Sequence, residues 1–142
     1  MPVEFVLDTD VCVDLLRGHA PSAGSGGGRV PLAASAVSSV TVGELETGVA
    51  KASSPGRVRE QLDDLLEQLA VIDFDRSAAR HYGEIRGEVE RKGATIGPLD
   101  LLIAAHARSR GARLVTTNLT EFRRVPGLRC VAWSRPARRR RG

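Results

Sequence analysis

Residues 3–17 read VEFVLDTDVCVDLLR, a short apolar run followed at once by a segment with helical spacing. The run Val3–Leu7 predicts a buried strand, because Val, Phe and Leu in close succession suit the interior of a sheet. Apolar residues between positions 11 and 16 recur with the period of a helix, which we expect to end at Gly18. A strand that leads directly into a helix is the repeating unit of α/β proteins.

The same alternation of strand and helix patterns continues along the chain. Further strands are predicted at Ala36–Val40, Val71–Ile72, Arg113–Thr117 and Leu128–Trp133, and further helices around Val42–Val49 and at Arg57–Ala70, Ser77–Lys92 and Pro98–Arg110. Alternating strands and helices favour a mainly parallel sheet with helices on both faces. The sequence therefore predicts an α/β fold in three layers, α/β/α.

Length and composition indicate one globular domain. The chain has 142 residues, of which 42% are hydrophobic and 27% charged, which excludes global disorder. We expect the domain to cover residues 1–134, with a Gly-rich loop at 18–29 and a basic tail at 135–142. No apolar run is long enough to span a bilayer, and residues 1–5 lack the pattern of a signal peptide. Cys12 and Cys130 are far apart in sequence, so we expect two reduced, buried thiols in an intracellular protein.

The positive charge is concentrated at the C-terminal end. The formal net charge is +4, from 21 basic and 17 acidic residues, and five arginines lie within residues 135–142. Without them, 16 basic and 17 acidic residues leave the rest of the chain at −1. An arginine-rich tail favours contact with a polyanion such as nucleic acid, although a solvated chain end explains it equally well.

Acidic side chains are the strongest candidates for chemistry. Asp8 ends the first strand, Asn118 follows another, Glu44 lies in a helix, and Asp100 lies near the start of the helix that begins at Pro98. The carboxyl ends of parallel strands share one edge of a sheet, where ligands commonly bind, so these four side chains can converge there. Oxygen ligands without His or Cys select Mg²⁺ or Mn²⁺ over zinc. The matching chemistry is attack of activated water on a phosphodiester.

Each acid also has a purely structural interpretation. Asp8 and Asp10 could cap a helix, Glu44 could face solvent, and Asp100 could interact with a helix N-terminus. The three histidines are scattered and form neither a metal pair nor a catalytic triad. We expect His106, in an Ala-rich helix, to be a packed residue.

Four strings add specificity. They are FVLDTD at 5–10, SSVTVGEL at 38–45, IGPLDLLIAAHA at 96–107 and LVTTN at 114–118, with EF at 121–122 and VPGL at 125–128 after the last. In order and spacing, these strings resemble the PIN-domain ribonucleases and, more narrowly, the VapC-type toxins of prokaryotic toxin–antitoxin pairs. The block around Asp100 is the most specific of them.

The resemblance implies a Mg²⁺-dependent endoribonuclease, with Mn²⁺ as a possible substitute, in the cytoplasm of a prokaryote. The substrate would be structured RNA such as tRNA or ribosomal RNA, and the inhibitor a VapB-type antitoxin; homodimers are usual in the family. Asp8 and Asp100 then correspond to core metal ligands, and Glu44 to a further ligand, direct or through water. Asn118 and Glu121 are possible auxiliary ligands. The residues we expect to contact RNA are basic: Arg123, Arg124, Arg135, Arg138, Arg139, Arg140 and Arg141.

Three positions depart from the family pattern. Asp10 stands where Asn is common, and adds a negative charge near the site. Asn118 stands where a fourth acid is common, and we expect Glu121 to supply the missing charge. The Gly-rich loop 18–29 replaces what is often a helical segment, which bears on the antitoxin groove and substrate entry more than on catalysis.

Two other functions remain open at this stage. One is a PIN-like module that binds RNA or a partner without cleaving. The other is a different Mg²⁺-dependent phosphoryl hydrolase, such as a DNA nuclease or a phosphatase, because haloacid-type phosphatases also begin with a strand followed by Asp.

Overall fold

The structure is a computed structural model that describes residues 2–18 and 30–133. Apart from Gly18, the predicted Gly-rich loop lies outside the described residues, as does the basic tail. None of the helices in the described ranges combines the length and apolar character needed to cross a bilayer.

Five strands and six helices alternate along the described chain. The strands are β1 (Phe5–Leu7), β2 (Ser35–Ser38), β3 (Ala70–Ile72), β4 (Arg113–Thr116) and β5 (Cys130–Ala132); the helices are α1 (Thr9–Leu16), α2 (Ser39–Lys51), α3 (Pro55–Glu67), α4 (Arg76–Arg91), α5 (Pro98–Ser109) and α6 (Leu119–Phe122). The strands form one sheet in the order β3-β2-β1-β4-β5, and every neighbouring pair is parallel. The predicted α/β class and parallel sheet are confirmed.

The two faces of the sheet bury different helices. In β1, Phe5 and Leu7 point to one face, where they pack with apolar residues of α1, α2 and α3. Val6 points to the other face and packs with α4, α5 and Phe122 of α6. Because side chains alternate along a strand, a fully apolar β1 requires helices on both sides. This gives the three layers predicted from the sequence.

Parallel pairing brings the carboxyl ends of β1, β4 and β5 to one edge. The backbone N–H of Asp8, directly after β1, donates to the carbonyl of Val115 in β4 at 2.9 Å. The N–H of Trp133, directly after β5, donates to the carbonyl of Thr116 at 2.8 Å. Residues that follow β1 and β4 are therefore neighbours in space although more than 100 residues separate them in sequence.

The boundaries of several elements differ from the predictions for identifiable reasons. β2 ends at Ser38 and not at Val40, because the Ser38 hydroxyl accepts the N–H of Val40 and begins α2 there. The short helix α6 and a 3₁₀ turn at Leu32–Ala34 were not predicted, since elements of three or four residues carry no periodic signal.

The prediction for the cysteines is confirmed only in part. Both thiols are free; Cys12 is buried, but Cys130 is half-buried because β5 is an edge strand.

Hydrogen bonds from Arg108 join the C-terminal half of α5 to neighbouring elements. Nε of Arg108 donates to Nδ1 of His81 at 2.8 Å, and its two terminal nitrogens donate to Glu84 and to the carbonyl of Pro126, each at 3.0 Å. These bonds join α5 to α4 and to the loop after α6. They hold in place the helix that carries Asp100.

Candidate active site

The carboxylate of Asp8 is buried and held from two directions. One oxygen accepts the N–H of Thr9 at 2.8 Å, and the other accepts the hydroxyl of Thr116 at 2.8 Å. The helix-cap interpretation thus accounts for one oxygen only, because the second is held by the neighbouring strand β4. Burial raises the pKa of Asp8, the hydrogen bonds from Thr116 and Thr9 lower it, and the charges of Asp10 and Glu44 raise it again. The net result is a raised pKa.

Glu44 is joined to Asp8 through Thr9. The hydroxyl of Thr9 donates to Oε1 of Glu44 at 2.7 Å and lies 3.2 Å from the hydroxyl oxygen of the buried Thr41. Glu44 is half-buried on α2, and this contact directs its carboxylate toward the end of β1 rather than toward bulk solvent. The solvent-facing interpretation is therefore wrong for this residue.

Asp100 has the most perturbed acidity in the site. It lies in the first turn of α5, half-buried, and burial raises its pKa to about 7. The negative charges of Asp8, Glu121 and Glu44 act in the same direction. Three elements therefore direct like charges at the carboxyl group of Asp100.

The side chains of Asn118 and Glu121 contact each other. The amide nitrogen of Asn118 donates to one carboxylate oxygen of Glu121 at 2.7 Å, and the N–H of Gly97 donates to the other at 3.0 Å. Asn118 precedes α6 and makes no side-chain hydrogen bond to the backbone of its first turn. Its amide holds Glu121 beside Asp100, which brings a further charge to the site.

The acids have no cationic partner among the described residues. No ion pair joins Asp8, Glu44 or Asp100 to a Lys or Arg of residues 2–18 or 30–133. Within the same ranges, no three His, Cys, Asp or Glu side chains are already spaced as a metal-ligand set. The available donors are oxygens, which fit Mg²⁺ or Mn²⁺, and mutual repulsion favours their wider spacing. Binding a cation would require the carboxylates to close on it.

The remaining predicted site residues lie outside this cluster. Asp10 is exposed, and its charge acts on Asp8 without a contact to it. Arg123 and Arg124 are exposed after α6, and Arg124 donates to the carbonyl of Thr95 at 3.1 Å. The predicted RNA contacts Arg135 and Arg138–Arg141 lie outside the described residues.

Sequence reasoning missed two threonines that organise the site. Thr9 links Asp8 to Glu44, and Thr116 fixes Asp8 from β4. A sequence pattern marks both residues, because each is a polar residue at or just after the carboxyl end of a buried strand. The prediction from the sequence, however, covers carboxylates and one amide and no hydroxyl group.

Comparison with known proteins identifies the family. The PIN domain profile matches residues 5–128. The chain belongs to the PIN-domain family. It is 39% identical over 132 residues to the tRNA(fMet)-specific endonuclease VapC of Shigella flexneri, covering 93% of this chain and 99% of that protein. It is 38% identical over 135 residues to ribonuclease VapC2 of Rickettsia felis, covering 92% and 98%.

Solved structures agree with this assignment. The DNA-bound VapBC complex of Salmonella typhimurium contains a chain with a TM-score of 0.82 and 36% identity, covering 93% of this chain and 99% of that one. VapBC2 of Rickettsia felis, bound to a promoter DNA fragment, gives 0.81 and 36%, covering 93% and 100%. The resemblance inferred from the four strings is confirmed: this PIN domain is of the VapC ribonuclease type, from toxin–antitoxin systems.

Charge crowding around Asp100 leads to a first prediction. Asp100→Asn should raise the free energy of unfolding of the metal-free protein by about 1 kcal/mol, since one of several like charges is removed and the half-buried site is screened by solvent. Mg²⁺ should stabilise the unmodified protein, and the same variant should lose that stabilisation. Urea unfolding in EDTA and in Mg²⁺ measures both effects. Asp64→Asn, at an exposed position of α3, is the control that should change neither; a destabilised Asp100→Asn in EDTA would contradict the prediction.

The contact between Asn118 and Glu121 leads to a second. Glu121→Gln removes a charge beside Asp100, and Asn118→Ala removes the amide that holds Glu121, so both should raise the Mg²⁺ concentration for half-maximal thermal stabilisation. Asn118→Asp adds a charge and should lower it. Thr120→Ala, on the same short helix, should leave it unchanged. A titration that is indifferent to all three substitutions would mean that this turn does not contribute to the site.

Proposed function

We propose that this VapC-type PIN domain is a Mg²⁺-dependent endoribonuclease that acts as the toxin of a type II toxin–antitoxin pair. The observation that carries the proposal is the placement of Asp100, whose half-buried carboxyl group faces the charges of Asp8, Glu121 and Glu44 with no described cation beside it. Such an arrangement is unfavourable in the metal-free protein and becomes favourable when a hard divalent cation binds.

Asp8 and Asp100 are the residues we assign to hold the cation directly. Asp8 is the better oriented, since Thr9 and Thr116 fix both of its oxygens while leaving further lone pairs free to coordinate. Glu44 is steered by Thr9 and would act as a further ligand, directly or through water. Glu121 would add charge, and Asn118 would hold Glu121 in place.

A divalent cation at this site would supply Lewis acidity for hydrolysis of a phosphodiester. The protein side chains would then position the cation, orient an attacking water through carboxylate oxygens, and accept its proton. The backbone N–H of Thr9 and the buried hydroxyl of Thr116 would keep Asp8 from rotating away during the reaction.

Structured RNA, with tRNA as the leading candidate, is the substrate class we assign. Two relatives that align along almost the whole chain are named tRNA(fMet)-specific endonucleases. A cognate VapB-type antitoxin is the partner we assign, since similar solved structures include VapBC complexes. We further expect a homodimer, as is usual in the family.

Cleavage should depend on the cation and on the two core acids. Asp8→Asn and Asp100→Asn each keep the side-chain shape but remove a charge, so each should abolish measurable cleavage of a tRNA pool in Mg²⁺. Mn²⁺ should support cleavage by the unmodified protein, and EDTA should stop it. Sequencing of RNA 5′ ends after induced expression would locate the cut sites.

Three outcomes would contradict this function. Cleavage that persists in excess EDTA, or in both Asn variants, would rule out the mechanism. A folded protein that binds RNA in Mg²⁺ without cutting it would indicate a non-cleaving module. Hydrolysis of DNA or of small phosphate esters in preference to RNA would indicate a different phosphoryl hydrolase.

The basic tail should contribute affinity for RNA or for the antitoxin, but no catalysis. Truncation after Ser134 removes five arginines from a chain whose remaining residues carry −1. For single-stranded sites, each lost phosphate contact should flatten the salt dependence of binding by a slope of about 0.7. The apparent KM should therefore rise at moderate salt, with kcat unchanged. For comparison with the loss of a single charge, Arg123→Ala is preferable to a change at Arg124, because the Arg124 side chain also donates a hydrogen bond to the carbonyl of Thr95. An unchanged salt slope together with unchanged antitoxin binding would leave the tail as a solvated end.

A further inference from the structure

One buried polar residue has no part in the mechanism described above. His106 lies on α5 with no exposed surface, and its Nδ1 is 2.8 Å from the hydroxyl oxygen of Ser38. Its ring packs edge-on against Phe74, with the ring centres 5.4 Å apart. Nε2 is buried and makes no well-formed hydrogen bond among the described residues, although the backbone of Asp73 approaches the ring. The expectation of a packed histidine is confirmed, but the packing includes a specific polar contact.

The contact joins the two helices that carry acids of the site. Asp100 and His106 both lie on α5, and Ser38 begins α2, which carries Glu44. The Ser38 hydroxyl also accepts the N–H of Val40, so it fixes the first turn of α2. From that turn, Thr41 and Glu44 reach the hydroxyl of Thr9 beside Asp8. Hydrogen bonds and the first turn of α2 thus connect His106 to the carboxylates.

The contact can form with either neutral tautomer of the ring. The Ser38 hydroxyl accepts from Val40 and keeps both a hydrogen and a second lone pair, so it can donate to Nδ1 of His106 or accept from it. In both cases Nε2 stays buried without a well-formed hydrogen bond, which is unfavourable for folding, so the histidine is a poor choice if its only task is to fill space between helices. An apolar residue of similar size would fill the same space without that penalty.

We propose that His106 is a positioning residue for the metal site, an inference that rests on the proposed function. Through Ser38 it sets the position of α2 relative to α5, and so the distance from Glu44 to Asp100. Its effect is on cation affinity, without contact to cation or substrate. Residues that orient metal ligands in this indirect way typically change affinity 10- to 100-fold when they are altered.

The test measures Mn²⁺ binding without RNA, by electron paramagnetic resonance of the free ion. His106→Leu should raise the Mn²⁺ dissociation constant about tenfold. Its melting temperature should change little, because the lost hydrogen bond is offset by removal of Nε2, which lacks a well-formed hydrogen bond. His106→Asn places an amide group where Nδ1 was and should restore much of the affinity. Ser38→Ala should weaken binding as His106→Leu does, and the double variant should be no worse than either single one.

A matched control separates positioning from general packing. Ile85→Val removes one buried methyl group from α4, against the same helix α5, and should lower the melting temperature while leaving Mn²⁺ affinity unchanged. A His106→Leu variant that melts early but binds Mn²⁺ normally would overturn the proposal, since His106 would then be a packing residue. If His106→Leu and Ser38→Ala both fail to fold, the pair is a folding element and the proposal is likewise overturned.

The result also distinguishes this inference from the proposed function. If the unmodified protein binds Mn²⁺ but cleaves no RNA, the proposed ribonuclease function is contradicted and the positioning role is not. If the unmodified protein and the variants all bind Mn²⁺ and cleave RNA normally, only the positioning role is contradicted. Absence of Mn²⁺ binding in the unmodified protein overturns both.

Discussion

The two hydrogen bonds that hold the buried Asp8 carboxylate are the interaction on which the site depends. Thr9 supplies one from the start of α1, and Thr116 supplies the other from the end of β4. They offset part of the free energy that burial of a carboxylate costs, and the bond from Thr116 forms only because β1 and β4 are parallel neighbours. The sheet order therefore determines both where Asp8 lies and which groups can hold it, and the other acids are arranged around that fixed point.

The fold holds several acidic side chains close together although their like charges repel one another. Glu44, Asp100 and Glu121 come from three different helices, and none of the contacts that hold them is with a described cation. Thr9 holds Glu44, and Asn118 and Gly97 hold Glu121. Asp100 is positioned by the packing of its own helix, α5. The apolar clusters on both faces of the sheet, together with the Arg108 contacts, keep these helices in place. A site with such crowding is strained by electrostatics rather than by backbone geometry, and a bound cation relieves that strain directly.

Much of this could be predicted from the sequence, for reasons that the structure makes clear. Apolar runs such as Val3–Leu7 and the helical spacing after Pro98 are long enough to define elements, and parallel strands place their carboxyl ends together, so Asp8, Glu44, Asp100 and Asn118 are predicted to converge at one edge of the sheet. Glu121 is added only by the family resemblance. Contacts that depend on tertiary pairing could not be predicted. The Thr116 hydroxyl reaches Asp8 across 108 residues and the Ser38 hydroxyl reaches His106 across 68, and neither has a local pattern. The end of β2 is misplaced for a different reason: the cap at Ser38 is a local contact, and it outweighs the strand propensity of Val40 that the prediction followed.

The central claim is that the carboxylates around Asp8 form one cation site. Anomalous X-ray scattering from a crystal of the full chain grown with Mn²⁺ tests it most directly, because the signal locates the ion independently of any choice of ligands. The account predicts a peak within about 2.2 Å of oxygens from both Asp8 and Asp100, with Glu44 in contact directly or through water. A fully occupied peak elsewhere on the protein, or none at this edge of the sheet at saturating Mn²⁺, would contradict it.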